Sequence, residues 1–170
     1  MKNISLFLLL LIGTFAYAQS GNMTIYNFST QSVTYRLVGT NDNSQPIDCQ
    51  PILEGYPAVS LAPASTVTYT QYNTSHLVAP PINQWNVISD AIGIPGQTYN
   101  VSAGVTIPSV ITSPTSWQSL DLNFANGEYM QLGRDCGYVN SHHGAFNGST
   151  PSGITATWNY LGNNVVVFIN

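Results

Sequence analysis

Hydrophobic and polar residues alternate with a period of two along most of the chain, whereas the three- and four-residue spacing of a helix is rare. Such alternation is typical of strands that bury one face and expose the other. Five series show it most clearly, over residues 33–37, 66–70, 99–105, 120–124 and 154–160. The pattern therefore predicts an all-β protein.

Turn-forming residues separate these series, because glycine, proline, asparagine and serine cluster between them. Asn126-Gly127, between Phe124 and Tyr129, is a favoured sequence for a tight hairpin. Residues 165–169 are apolar on both faces, which predicts a central strand covered on both sides. About eight or nine short strands linked by such turns predict an antiparallel β-sandwich of immunoglobulin-like or jelly-roll topology.

One segment, residues 83–92, departs from the alternation. Trp85, Ile88 and Ile92 recur there at a helix-like spacing, after the stiff Pro80-Pro81 pair. We expect either one short helix near residues 83–92, packed over one end of the sheets, or a loop with buried aromatic side chains.

Residues 1–18 have the order of an export signal. Lys2 precedes an apolar run over residues 4–12, and Ala16-Tyr17-Ala18 is a small-x-small cleavage site. The run is shorter than the roughly 20 residues that a membrane-crossing helix needs. We expect cleavage after Ala18, no transmembrane segment afterwards, and one exported domain over residues 19–170 that is secreted, periplasmic or at the cell surface.

Charged side chains are scarce in this domain. Once Lys2 leaves with the signal, Arg36 and Arg134 are the only lysine or arginine residues, against seven aspartates and glutamates. Nucleic acids and anionic membranes require clustered positive charge, so both are excluded as partners. The sequence also lacks a nucleotide-binding motif, and we expect no nucleotide ligand.

The chain has two cysteines, Cys49 and Cys136, which lie far apart and outside any C-x-x-C motif. Exported proteins meet oxidising conditions, so we predict a disulfide between them. Two buried free thiols are the alternative.

The segment over residues 134–144 gathers the most reactive side chains, including Asp135, His142 and His143. Imidazole and carboxylate groups bind metals, but adjacent histidines of an extended backbone point to opposite faces. His76 lacks any sequence link to this segment. We therefore predict a polar surface loop without a metal or cofactor, and a small secreted hydrolase built on these residues, with or without a metal, is the alternative function.

No catalytic residue is predicted, because the sequence has no Gly-x-Ser-x-Gly elbow and its few carboxylates form no defined pair. Among the three tryptophans, Trp158 is in phase with core positions and Trp85 belongs to the segment over 83–92. Only Trp117, after a Ser-Pro-Thr-Ser stretch, is expected in an exposed loop.

The predicted function is that of a secreted or cell-surface module that binds a partner or has a structural role, without catalysis. A surface rich in Asn, Gln, Ser, Thr and Tyr suits a neutral glycan, and another envelope or extracellular protein is the second candidate partner. We expect contact through loops at one end of the sandwich, with Trp117, Tyr138 and His143 as the contact residues.

Overall fold

The computed structural model describes residues 21–41, 49–89, 96–134 and 145–170, so the predicted signal over 1–18 lies outside the described residues. Within these ranges, strands form two sheets around a shared core, which confirms the predicted all-β sandwich. The strands are β1 (Met23–Asn27), β2 (Val33–Thr40), β3 (Ile52–Tyr56), β4 (Val59–Leu61), β5 (Ser65–Tyr69), β6 (Gln84–Ile88), β7 (Gln97–Asn100), β8 (Ser116–Phe124), β9 (Tyr129–Gly133), β10 (Asn147–Ser149), β11 (Thr155–Leu161) and β12 (Asn164–Ile169). The described helices are short: 3-10 helices at Tyr72–Leu77 and Val101–Ala103, and an α-helix at Ser109–Thr112.

The smaller sheet has five strands in the order β10-β11-β12-β1-β5. The larger sheet runs β7-β6-β3-β2-β8-β9, and β4 also pairs with β2. Every described pair of these strands is antiparallel except β1 and β12, which run in the same direction with Met23 opposite Val165. The predicted antiparallel arrangement therefore holds with one parallel pair inside it.

A pair of buried tyrosines links the two sheets through the core. The hydroxyl oxygens of Tyr35 in β2 and Tyr69 in β5 lie 2.7 Å apart. Tyr69 donates its own proton to the Pro80 carbonyl at 2.7 Å, so Tyr35 is the donor within the pair. Burial raises the pKa of Tyr69 to about 12, so its phenol stays neutral at physiological pH.

Four of the five alternating series form the predicted strands, namely β2, β5, β8 and β11. The series over 99–105 continues as a strand only to Asn100, where the Val101–Ala103 helix begins. Gly104 then adopts a φ of 83°, and Val105 is exposed. The hairpin at Asn126-Gly127 is confirmed and joins β8 to β9.

The helix or loop expected near residues 83–92 is wrong over Gln84–Ile88, which form β6. β6 pairs with β3 on one side and β7 on the other, so two neighbours satisfy its backbone hydrogen bonds. Trp85 and Val87 point into the core and Ile88 is exposed, a period of two rather than a helical stripe. The pairing of β6 with two neighbouring strands thus determines the structure here, despite the helix-like spacing of the apolar residues.

The strand predicted over residues 165–169 is β12, and it is central in its sheet as predicted. Val165, Val167 and Ile169 are fully buried on its inner face. Val166 and Phe168, on the outer face, are only partly buried, so the expected cover on both sides is wrong for that face.

Cys49 lies on the outer side of the larger sheet, where it packs with Val38 and Ile52 in a small buried cluster. The Asn41 backbone N–H donates to the Cys49 carbonyl at 3.1 Å and closes the loop between β2 and β3. No cysteine is free among the described residues. The bridge to Cys136 stays a prediction, since Cys136 lies outside that part of the chain.

Candidate functional site

Trp117 lies in β8 and is only 2% exposed, so the expectation that it sits in an exposed loop is wrong. Its indole N–H donates to the Gly21 carbonyl at 3.1 Å, and its ring centroid is 4.6 Å from that of Tyr72. The β2–β8 register pairs Val38 with Ser119 and then Gly39 with Trp117, passing over Gln118. This bulge turns Trp117 towards the core, where its ring presents no face to a ligand.

The other predicted contact residues, Tyr138 and His143, lie outside the described residues. The same is true of Asp135 and His142, on which the alternative hydrolase depends, so both hypotheses stay predictions. In the part of the chain that the structure describes, no three histidine, cysteine, aspartate or glutamate side chains are grouped as metal ligands.

Glu128 forms a polar clamp at one end of the sandwich. Its carboxylate accepts hydrogen bonds from the Ser152 backbone N–H at 2.8 Å, from the Ser152 hydroxyl, and from the Asn126 amide at 2.8 Å. These hydrogen bonds, with that of the Ser152 hydroxyl the strongest contributor, lower the pKa of Glu128 to about 2. The clamp ties the β8–β9 hairpin to the turn between β10 and β11, so Glu128 has a structural role.

We expect acid to weaken this clamp. The pKa of Glu128 is about 2 in the folded protein against an ordinary value of 4.5, so its contribution to stability is complete above pH 4.5 and lost as the pH falls towards 2. Glu128→Gln should lower the melting temperature at neutral pH and flatten its dependence on pH across this window. Thermal melts of both proteins from neutral to acidic pH measure the effect.

The matched variant Ser152→Ala, which removes one donor to the same carboxylate, should reproduce part of the loss. A Glu128→Gln protein whose melting temperature follows that of the wild type at every pH would contradict the clamp.

Three aromatic rings form a patch on the outer face of the smaller sheet. Tyr26 in β1 lies opposite Phe168 in β12, and Phe28 follows two residues after Tyr26 on the same side. The ring centroids are 5.2, 5.6 and 6.2 Å apart, and the ring planes lie within 21° of parallel. Phe28 is 58% exposed and the other two rings are half-buried. We call these three residues the aromatic patch.

Uncharged side chains surround the aromatic patch. None of the five strands of the smaller sheet contains a lysine, arginine, aspartate or glutamate. Across the sheet, the register places the patch in a row that reads Thr66, Tyr26, Phe168, Thr157 and Asn147. The next row reads Thr68, Thr24, Val166 and Asn159. This face therefore offers aromatic rings, hydroxyls and amides without a charge.

The outer face of the larger sheet is different, because charged and amide groups meet there. Arg36 in β2 lies opposite Asp121 in β8, which lies opposite Gln131 in β9. The Oδ1 atom of Asp121 accepts hydrogen bonds from the Gln131 amide at 2.8 Å and the Tyr129 hydroxyl at 3.3 Å. Burial, and then the charge of Asp121, raise the pKa of Tyr129 to about 12, so this phenol stays protonated.

Tyr56 belongs to the same face. Glu54 lies opposite Val38, and two-residue steps lead from Glu54 to Tyr56 and from Val38 to Arg36. We call Tyr56, Arg36, Asp121, Gln131 and Tyr129 the polar cluster.

Comparison of the chain with models of protein families, with curated proteins and with solved structures finds no match. No helix within the four described ranges is long and apolar enough to cross a membrane. The aromatic patch and the polar cluster, one on each outer face of the sandwich, are the groups of surface side chains that could bind a partner.

Proposed function

We propose that the protein is an exported, non-catalytic module that binds a neutral glycan on the outer face of its smaller sheet. The observation that supports this most strongly is the aromatic patch, which lies on a sheet without charged residues. Export is the expectation from residues 1–18.

The chemistry of this face matches that of a sugar. A pyranose ring has a C–H face that packs on an aromatic ring, and Phe28, which is 58% exposed, is accessible for such a contact. Hydroxyl groups on the sugar both donate and accept hydrogen bonds, as do the threonine hydroxyls and asparagine amides in the two rows beside the patch. A charged polymer would find no counter-charge here, so the partner is neutral.

Binding without turnover follows from the same composition. Hydrolysis of a glycosidic bond commonly uses two carboxyl groups about 5–10 Å apart. The strands of the smaller sheet contain no carboxylate side chain. A sugar held on this face therefore meets no carboxyl group from these five strands that could cleave it.

The area of the patch favours a glycan over a protein partner. Stable protein interfaces bury roughly 800 Å² on each side around a closely packed apolar centre. Three rings, two of them half-buried, form a smaller apolar centre, and the side chains around it are short and polar. A sugar chain one or two units wide fits these dimensions.

The decisive test replaces Phe28 by alanine and measures binding to insoluble neutral polysaccharides at low and high salt. The wild-type protein should bind equally at both salt concentrations, because no ion pair is involved. Phe28→Ala should weaken binding about tenfold or more, since it removes an aromatic surface that the sugar would cover.

Phe146→Ala is the matched control, because Phe146 is an exposed phenylalanine outside the patch, and it should bind like the wild type. Salt-sensitive binding, soluble sugars released from the polymer, or equal binding by Phe28→Ala and the wild type would each contradict the proposal.

A further inference from the structure

β5 forms one edge of the smaller sheet, because the order β10-β11-β12-β1-β5 gives it a single neighbour. Native proteins usually protect such an edge with a lysine, a proline, a bulge or a very short strand. β5 spans the five residues Ser65–Tyr69 and contains no proline and no charged residue. Its register with β1 runs over all five positions without a bulge. At the opposite edge β10 has only three residues, so β5 is the longer and less protected edge of this sheet.

The hydrogen bonds between β1 and β12 show which backbone groups of β1 face β5. The Val165 N–H donates to the Asn22 carbonyl at 2.8 Å, and the Phe28 N–H donates to the Ile169 carbonyl at 2.7 Å. Alternate residues of a strand bond to the same neighbouring strand. The even-numbered residues of β1 therefore bond to β12, and its odd-numbered residues bond to β5.

The same alternation assigns the backbone groups of β5. Ser65, Val67 and Tyr69 lie opposite the odd-numbered residues of β1 and exchange hydrogen bonds with them. The N–H and C=O groups of Thr66 and Thr68 consequently point outwards from the edge of the sheet. Among the described residues, no strand pairs with this side of β5 and no hydrogen bond reaches these groups.

The outward side of β5 is complementary to itself. Thr66 and Thr68 flank Val67 symmetrically, so two copies of β5 can pair antiparallel about a two-fold axis at Val67. Thr66 then lies opposite Thr68 of the partner subunit, and each of the two such pairs exchanges two backbone hydrogen bonds. Threonine hydroxyls meet on the outer face of these pairs, as those of Thr24 and Thr68 already do within one protomer at 3.0 Å.

We infer that two copies of the protein pair through β5 and form a dimer in which their smaller sheets become one continuous sheet. A second copy fits better than a different protein, because the edge matches itself and carries no charge that would repel an identical edge. The pairing occupies β5 in both protomers, so the assembly closes at two. A contact between two short strands is smaller than the roughly 800 Å² per partner of a standard interface, so the dimer is weak.

The dimer has a consequence for glycan binding. Its two-fold axis is perpendicular to the sheet, so both outer faces lie on the same side. The two copies of β1 are separated by the two copies of β5, which places the aromatic patches about 14 Å apart across the sheet. A long glycan can bind to both patches, and its second contact is then intramolecular. This consequence rests on the proposed function, whereas the pairing of β5 does not.

Sedimentation equilibrium of the wild-type protein measures the dimer, with an expected Kd on the order of 10–100 µM. Amide hydrogen exchange, followed by NMR at concentrations below and above this Kd, identifies the interface. The Thr66 and Thr68 amides should become protected as the concentration rises, whereas the Val67 amide, which already bonds to β1, should be protected throughout. A dimer in which the Thr66 and Thr68 amides exchange as fast as in the monomer overturns the inference.

The double variant Thr66→Lys with Thr68→Lys places like charges opposite each other where the two strands meet. It should raise the Kd about tenfold or more. The matched control is Thr155→Lys with Asn159→Lys, which adds the same charge to exposed positions on the outer face of β11. This control should dimerise like the wild type. Melting curves establish that both variants are folded, and the exchange measurement on the wild type requires no variant.

Phe28→Ala separates this inference from the proposed function, because it should dimerise normally and fail to bind the glycan. A wild-type protein that stays monomeric but binds polysaccharide overturns the pairing of β5 and keeps the proposed function. A dimer with protected Thr66 and Thr68 amides that binds no polysaccharide supports the pairing and contradicts the proposed function. A dimer that the lysine pair in β5 leaves unchanged also overturns the inference.

Discussion

Trp117→Ala is expected to lower the free energy of unfolding by about 3–5 kcal/mol, as large-to-small changes at fully packed aromatic positions do. The Trp117 ring is buried against Tyr72, which in turn packs edge-on against Trp85 at a centroid distance of 4.9 Å. Alanine would leave a cavity inside this cluster and remove the hydrogen bond from the indole to the Gly21 carbonyl. The substitution would therefore lower the stability of the fold and would not remove a contact with a ligand.

Urea unfolding of the two proteins measures this change. Leu77→Ala, which truncates a side chain that is 71% exposed, is the control and should change stability by no more than about 0.5 kcal/mol. A Trp117→Ala protein as stable as the wild type, but defective in glycan binding, would show that the ring faces the solvent.

Gly133→Ala is expected to cost at least about 3 kcal/mol, because it combines backbone strain with a steric clash. Gly133 has a φ of 123° at the end of β9. A Cβ atom there would lie 2.2 Å from the Gln118 carbonyl oxygen and 2.6 Å from the Ser119 Cα. Both are backbone atoms of β8, and moving them would break the pairing of Ser119 with Gly133.

Gly127→Ala separates the two contributions. Gly127 also has a positive φ, 85°, but a Cβ atom there would have no neighbour within 4 Å. It should therefore cost only the conformational strain of about 1–2 kcal/mol. Equal losses for Gly133→Ala and Gly127→Ala in urea unfolding would contradict the predicted clash.

The sandwich could be predicted from the sequence because the alternation of apolar and polar residues within each strand shows which side chains are buried. In β2, for example, Val33, Tyr35 and Leu37 are fully buried while Thr34 and Arg36 are not, so one strand alone defines the inner face. Hairpins are equally local, and Asn126-Gly127 places a glycine where φ must be positive. Features of this kind need no knowledge of distant residues.

The position of Trp117 could not be predicted because a bulge changes the phase of β8. Counting back in steps of two from Leu120 puts Gln118 on the core face and Trp117 on the outer face. The register omits Gln118, which brings Trp117 back to the core side. A bulge depends on the partner strand, and here Gly39 provides the space, since a Cβ atom at Gly39 would clash with the Tyr72 side chain.

The aromatic patch could not be predicted from the sequence either. Tyr26 and Phe168 belong to strands far apart in the chain, and only the parallel pairing of β1 with β12 makes them neighbours. The two-sided apolar pattern of residues 165–169 was the available signal, since it placed Phe168 and Val166 on a second face. The polar cluster likewise depends on the registers of β2, β8 and β9.

The position of β12 between β11 and β1 has a consequence for the order in which the protein folds. The hydrogen bond from the Asn22 backbone to Asn164 spans 142 residues, so the centre of the smaller sheet closes only after most of the chain is available. Contacts of such long range slow folding, because the entropy of closing the loop is lost before the strands pair. During synthesis, β5 is the only described strand that can pair with β1 before β12 is made. A nascent chain that stops before β12 would hold this sheet as two separate pairs, β1 with β5 and β10 with β11. The smaller sheet is therefore expected to complete only once β12 has been made, which keeps its strands accessible to chaperones until then.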